Sequence, residues 1–443
     1  MKKKRFKLSP SWRKFVALIY ALAPFLGYYD VPFIRKNLFV VLVFLISLFT
    51  VFPVLVKEGW SYKKGNNVLD ILLPMMGLVF ITGIIRPFLT GINMTSGQIY
   101  YFFLFFGTLV FSSVLFMDEK LRNLFRKYVE GITIFMSICV VVQCVMHYIL
   151  NMQVEVTWAI HLPFREMMDT EIAGDIEIRT MEMYNHLFRP RAFFIEPANF
   201  AQYCSIGLVS ILTQKKEYRM KAIIVTFAMI MTTSGIGIFS VILIWGGAFL
   251  LSGKGIKKKT LFGIMALAAI GIPATLYAYF RIEFIHNAVD RMLFSYDGYN
   301  SVEGRLGTWR FVRELSGIKY VIGNGYRNFP TFIRNGVVVN YYMTAITELF
   351  YCQGILGGIL FCMLCVALMK KIWNRRDKSC ILMVFIAIIY IIGSNLFVPY
   401  RAVLYIPFLF YLAEKDDNKE NEFIDVIKGN LYEKDRINNI LER

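Results

Sequence analysis

Apolar stretches of about twenty residues follow one another from residue 15 to residue 414, and no other feature constrains this chain so strongly. A run of that length crosses the hydrocarbon core of a bilayer as a helix. Composition agrees: of 443 residues, 57% are hydrophobic and 16% aromatic, and the mean hydropathy is +0.53. Soluble domains do not carry such a load. The chain therefore reads as an all-α, polytopic integral membrane protein, a single membrane domain over 1–443.

The formal net charge of +18 argues for topology, not for a nucleic-acid partner. Lysine-rich runs sit in short loops between apolar segments, as the positive-inside rule expects. Residues 1–14 carry Lys2, Lys3, Lys4, Arg5, Lys7, Arg13 and Lys14 with no acid, which puts the N-terminus in the cytoplasm. The first apolar run, 15–29, lacks a small-residue cleavage site and reads as a retained anchor.

Spans are predicted at 38–56, 68–90, 100–117 and 129–150, with basic cytoplasmic connections at Lys57–Asn67 and Asp118–Tyr128. Loop 151–192 then falls outside. It holds seven acids, from Glu155 to Glu182, and its cations are Arg165, Arg179, Arg189 and Arg191. A span at 193–213 returns to the basic turn Lys215–Lys221. Residues 222–252 have basic flanks on both sides, so both ends belong inside. The patch Thr232-Thr-Ser-Gly-Ile-Gly237 has turn chemistry, and two short helices meeting near Ser234 reconcile it with the charges. Further spans fall at 260–280, 341–369, 379–397 and 400–414. The expectation is about twelve spans, two large extracytoplasmic loops (151–192 and 281–340), and a cytoplasmic tail at 415–443.

Loop 281–340 contains Arg281, Arg291, Arg305, Arg310, Arg313, Arg327 and Arg334 against the one lysine, Lys319. A guanidinium fork suits bidentate contacts to phosphate, whereas lysine acts as a point charge. Pairing with the acids of loop 151–192 serves equally well as an explanation, and both can hold for different arginines. Ser301–Leu315 reads as a capped amphipathic helix, with Arg305, Trp309 and Arg313 on one face and Arg310 turned away. Trp309 between two arginines suits stacking on a sugar ring, and it suits anchoring at lipid headgroups just as well. Val321-Ile-Gly-Asn-Gly-Tyr326 is a glycine-punctuated turn without a phosphate-loop lysine.

The most informative stretch is Arg189-Pro-Arg-Ala-Phe-Phe-Ile-Glu-Pro-Ala-Asn-Phe-Ala-Gln-Tyr203. A glutamate at the edge of a membrane span is costly unless it is paired, protonated or facing water. Pro197 biases Glu196 away from helical geometry, so the carboxylate is expected where a helix begins, beside Arg189 and Arg191. Such a cluster suits a charged, lipid-linked substrate. Glu196 is the candidate general base for an acceptor hydroxyl; the competing reading makes it a brace for Arg189.

No metal or cofactor is expected. His147, His161, His186 and His286 lack ligand spacing, and Cys362-x-x-Cys365 falls inside a predicted span. Nor is an internal repeat visible.

Four pieces occur in order: Arg189-Pro with Phe194-Ile-Glu-Pro197; Thr232-Thr-Ser-Gly235; Gly304-Arg-Leu with Trp309 and Gly323-Asn-Gly325; and Asn340-Tyr-Tyr with Gly354-Ile-Leu-Gly357. Together they resemble the Wzy-type polysaccharide polymerases and the related O-antigen ligases, over roughly residues 185–360. The resemblance implies transfer of a growing glycan from undecaprenyl diphosphate onto an incoming lipid-linked repeat unit, at the outer face of a bacterial plasma membrane. It implies catalytic roles for Arg189, Glu196 and Arg305, without a cofactor. Arg191, Trp309, Arg310, Arg313 and Ser234 are candidate substrate contacts. The partners implied are undecaprenyl-diphosphate-linked oligosaccharides and the bilayer, with a chain-length regulator and a flippase as candidates. Two departures, Gly235 and Asn340, stand where ligases often carry arginine and histidine, and they favour polymerase over ligase. A flippase for the same lipid-linked unit is the alternative from another class. The charge-poor spans and the absence of repeated halves weigh against it.

Overall fold

The computed structural model describes residues 8–26, 29–30, 38–58, 69–90, 95–155, 158, 166–167, 188–194, 196–212, 219–250, 277, 279–282, 286, 307–334, 337–341, 343–373, 378–393 and 407–409. Helices dominate them. In chain order these are α1 (Pro10–Leu26), α2 (Leu38–Glu58), α3 (Leu69–Thr90), α4 (Ser96–Leu115), α5 (Glu119–Cys144), α6 (Pro197–Leu212), α7 (Arg219–Met231), α8 (Gly235–Leu250), α9 (Trp309–Arg313), α10 (Ile318–Ile322), α11 (Ala345–Trp373) and α12 (Lys378–Gly393). Among the described residues, three helical stretches are long and apolar enough to cross a membrane: Ser96–Leu115, Glu119–Ile149 and Ala345–Ala367. Shorter apolar stretches are Val41–Pro53, Leu73–Gly83, Gly235–Leu250 and Ile381–Tyr390. Most of the predicted span 260–280, most of 400–414 and all of the tail 415–443 lie outside the described residues.

At the centre stands α6. Every residue from Pro197 to Ile211 except Ala198 is buried, as expected of a helix enclosed on all sides. It packs against α5, α7, α8 and α12. Small residues permit the closest approaches: a Cβ on Gly237 of α8 would meet the Ala201 Cβ at 2.9 Å. Buried hydroxyls join the helices. Tyr203 donates to Ala21 O at 2.9 Å, Ser205 and Tyr390 share a bond at 2.7 Å, and Ser240 reaches the same Tyr390 hydroxyl at 3.1 Å.

The structure refines four expectations. The predicted loop Asp118–Tyr128 is the start of α5, so Lys120, Arg122, Arg126 and Lys127 ride on a helix. Asp118 caps it, accepting from Lys120 N and Leu121 N at 2.9 and 3.2 Å, while Leu121, Phe125 and Val129 bury one face. Arg13 adds an ion pair to the capping carboxylate at 2.9 Å. The predicted helix 301–315 is, in its described part, only the short α9, which gives way at Glu314. The predicted span 341–369 falls on α11, whose Ala345–Ala367 stretch is long and apolar enough to cross a membrane, with a kink where Gly354 takes φ +64° and ψ −164°. Finally, the fold is not purely helical: β1 (Tyr29–Asp30) pairs with β2 (Glu166–Met167). A hairpin also joins β3 (Thr331–Arg334) to β4 (Val337–Asn340), with Thr331 opposite Asn340 and Arg334 opposite Val337. Its run of three valines favours a strand.

The division of 222–252 agrees with the sequence reading. Helices α7 and α8 meet at Thr232-Thr233-Ser234, where Thr233 adopts a left-handed φ of +49°.

Candidate functional site

Helix α6 begins at Pro197, whose missing N–H costs nothing at a first helical position. Glu196 stands immediately before it. Its peptide oxygen accepts from Asn199 N at 3.1 Å and Phe200 N at 3.2 Å, and its side chain is exposed. An apolar anchor fixes this entry: the Phe194 ring packs at 5.8 Å from Phe200 and 5.7 Å from Tyr203.

The strand of chain leading to Glu196 is held from α5. Beyond Cys144 that helix widens into a π turn over Val145–Ile149, which displaces its last side chains. His147 stacks on Phe188 at 4.0 Å, and the Tyr148 hydroxyl donates to Phe188 O at 3.4 Å. Gln143, wholly buried, is the main clamp. Its Oε1 accepts from Ala192 N at 3.0 Å, and its Nε2 donates to Glu155 O at 3.0 Å. Ala192 turns left-handed, φ +51°, and its carbonyl accepts from Trp158 N at 2.7 Å. That reversal carries the chain from the two arginines to Glu196.

Arg189 is half-buried and donates from Nε to Thr233 Oγ1 at 3.0 Å. Arg191 is buried, 3% exposed. Thus the segment that carries Arg189, Arg191 and Glu196 is tied through Arg189 to the Thr232–Ser234 turn, 44 residues further on, beside the start of α6. Ser234 itself is buried and uses its carbonyl to begin α8, accepting from Ile238 N at 2.9 Å. It is Thr233, one residue earlier, that meets the arginine. The brace reading of Glu196 requires a pair with Arg189, whereas the Glu196 side chain is exposed and Arg189 donates to Thr233.

Trp309, Arg310 and Arg313 stand on a different support, the first half of α11. The Trp309 ring packs 5.7 Å from Phe350. It lines a cavity of about 150 Å³ with Val312, Leu315, Tyr320, Phe350 and Ile355. Arg310 is exposed, with its guanidinium carbon 4.7 Å from the Phe311 ring and 5.4 Å from that of Tyr341. Arg313 is exposed as well. Arg305 lies outside the described residues.

This second group is anchored to the break in α11. Tyr351 O and Cys352 O, at the end of its first half, accept from Asn324 N at 2.8 Å and Gly325 N at 2.9 Å. The loop thereby satisfies carbonyls that the break would otherwise orphan. Tyr326 is buried beside them, and its hydroxyl donates to Tyr101 O at 3.4 Å. Burial pushes the Tyr326 hydroxyl well above its ordinary pKa; Arg327 opposes the rise and Glu348 adds to it. Glu348, 6% exposed on α11, is a buried acid that the sequence reading did not single out. Gln143 and Thr233 were missed too, although a lone glutamine inside an apolar run was a visible signal for the first.

Chemically, the first group offers an exposed carboxylate able to accept a proton and two guanidinium groups suited to charged oxygens. Among the described residues no group of His, Cys, Asp and Glu is disposed to hold a metal ion. No family model matches the chain, and no curated protein matches it.

Proposed function

We propose that this protein is a membrane glycosyltransferase of the polysaccharide-polymerase type. It moves a growing glycan from undecaprenyl diphosphate onto an incoming lipid-linked repeat unit at the outer face of a bacterial plasma membrane. The observation that carries the reading is the tie, through Arg189, between the segment of Arg189, Arg191 and Glu196 and the Thr232–Ser234 turn, beside the start of the buried helix α6. In this reading the remaining apolar runs complete about twelve spans, both termini are cytoplasmic, and loops 151–192 and 281–340 face outward.

Diphosphate leaves readily once its charge is balanced, and preorganised guanidinium groups supply that balance electrostatically. Arg189 and Arg305 take this role, with Arg191 beside them. Glu196 accepts the proton of the acceptor hydroxyl as the new glycosidic bond forms and the bond to diphosphate breaks. Arg310, Arg313 and Trp309 contribute contacts from the outer loop. A flippase and a chain-length regulator would work alongside.

The test is direct. Purified protein in lipid nanodiscs, given a defined undecaprenyl-diphosphate repeat unit, should yield a ladder of polymer lengths. Transfer to a different acceptor as a single finished chain would identify a ligase instead, and an unchanged substrate would refute the assignment.

A further inference from the structure

The turn Gly323-Asn-Gly-Tyr-Arg327 carries a feature that glycan transfer, as assigned above, leaves unused. Arg327 holds a left-handed backbone, φ +54°, which residues with a Cβ seldom adopt. Outliers of this kind cluster where a structure needs a side chain in one place. The place here is over Tyr101, with the guanidinium carbon 4.0 Å from the ring centroid and 5.8 Å from that of Phe329. A guanidinium above an aromatic ring uses its π face and keeps its in-plane N–H groups for another partner.

Among the described residues no carboxylate pairs with Arg327 and no acceptor takes a hydrogen bond from its guanidinium. The residue is nevertheless half-buried. The backbone beneath is fixed before any ligand arrives. Asn324 N and Gly325 N are bonded to α11, Asn328 N donates to Gly325 O at 3.1 Å, and Asn328 Nδ2 donates to Asn324 O at 3.1 Å. Preorganised donors lose little freedom on binding.

We infer that Arg327 is an oxyanion-binding residue whose guanidinium edge takes a pair of phosphate oxygens, as a diphosphate presents them. The inference stands on the geometry around Arg327 and holds whether or not the protein polymerises glycans. The phosphate can belong to a diphosphate ligand or to an anionic lipid headgroup, and the experiment separates the two.

Full-length protein in phosphatidylcholine nanodiscs is titrated with inorganic pyrophosphate, for wild type and for Arg327→Lys, Arg327→Gln and Arg327→Gly. The glycine variant guards against misfolding, because φ +54° is native territory for glycine. Loss of a charge-assisted, bidentate contact should weaken pyrophosphate binding roughly tenfold or more in the Gln and Gly variants, with lysine intermediate. In a second arm, nanodiscs doped with phosphatidylglycerol are delipidated and the retained lipid is measured by mass spectrometry. Arg327-dependent retention there, without Arg327-dependent pyrophosphate binding, assigns the oxyanion to a headgroup. Variants that match wild type in both arms, or a wild type that binds neither probe, would overturn the inference. Absence of a polymer ladder bears only on the catalytic assignment.

Discussion

Replacing Gly354 with alanine tests whether the break in α11 is what holds the Gly323–Arg327 turn in place. Gly354 has φ +64° and ψ −164°, and Gly323, against which it lies, has φ +75° and ψ −175°. Both fall in a region open essentially to glycine alone, and a residue with a Cβ there costs about 1–3 kcal/mol. A Cβ on Gly354 would also come 2.7 Å from Gly323 N and closer still to the Val321 carbonyl. Those are backbone atoms that no side-chain rotation can move aside, so a further 1–3 kcal/mol or so of overpacking applies. Easing the clash pulls at the bonds from Asn324 N and Gly325 N, each contributing about 1 kcal/mol. The sum is about 4 kcal/mol at the least if both bonds are lost. The control is Gly131→Ala on α5, where nothing lies within 4 Å of the new Cβ; it should be neutral or stabilising by up to about 1 kcal/mol. The assay is the monodisperse fraction of detergent-purified protein after heating, read by size exclusion. Gly354→Ala should lose several degrees against both wild type and Gly131→Ala. The double variant Gly323→Ala/Gly354→Ala should lose less than the sum of the singles, because both disrupt one contact. A Gly354→Ala protein that melts with wild type would refute the reasoning.

Three other expectations follow from the site. Gln143→Leu leaves the buried Ala192 N–H unsatisfied, a penalty of about 1–3 kcal/mol, and should reduce both thermal stability and polymer yield; unchanged stability would mean that Gln143 is not the clamp. Glu196→Gln should keep membrane abundance and abolish the ladder, and adding Arg189→Gln should restore nothing, since Arg189 is bonded to Thr233; a double variant that regains activity would return Glu196 to the brace role. Single cysteines at 160–180 and 295–335 should react with impermeant reagents on intact cells once native cysteines are removed. Labelling at 255–259 from outside would invert the proposed topology.

Much of the scaffold was legible from residues alone, since helix length and hydrophobic continuity are local properties. The runs behind α2, α3, α4 and α12 fall close to where hydropathy places them. The Thr232–Gly235 patch divides α7 from α8 because turn chemistry needs no distant partner to act. Glu196 was legible as a helix-entry residue for the same reason, with Pro197 after it. The start of the fifth helix was less legible: Lys120 to Lys127, placed in the connection before it, belong to α5, because Asp118 caps it and Leu121 and Phe125 have a face to bury. At Gly354 an unbroken apolar run conceals a kink that hydropathy does not signal.

By itself, then, the sequence determined that the chain is mostly helical and rich in membrane-length apolar segments, and that arginine dominates the cations of residues 151–192 and 281–340. It determined those things because each depends on neighbours within a few turns. Only the tertiary structure decided that Arg189 meets Thr233 and that Gln143 grips Ala192. It alone decided that α11 is interrupted so that the Asn324–Gly325 turn can cap its carbonyls, and that Arg327 is twisted onto Tyr101. Each joins groups from separate segments, and a buried donor or a left-handed φ is tolerated only when such remote partners fix it.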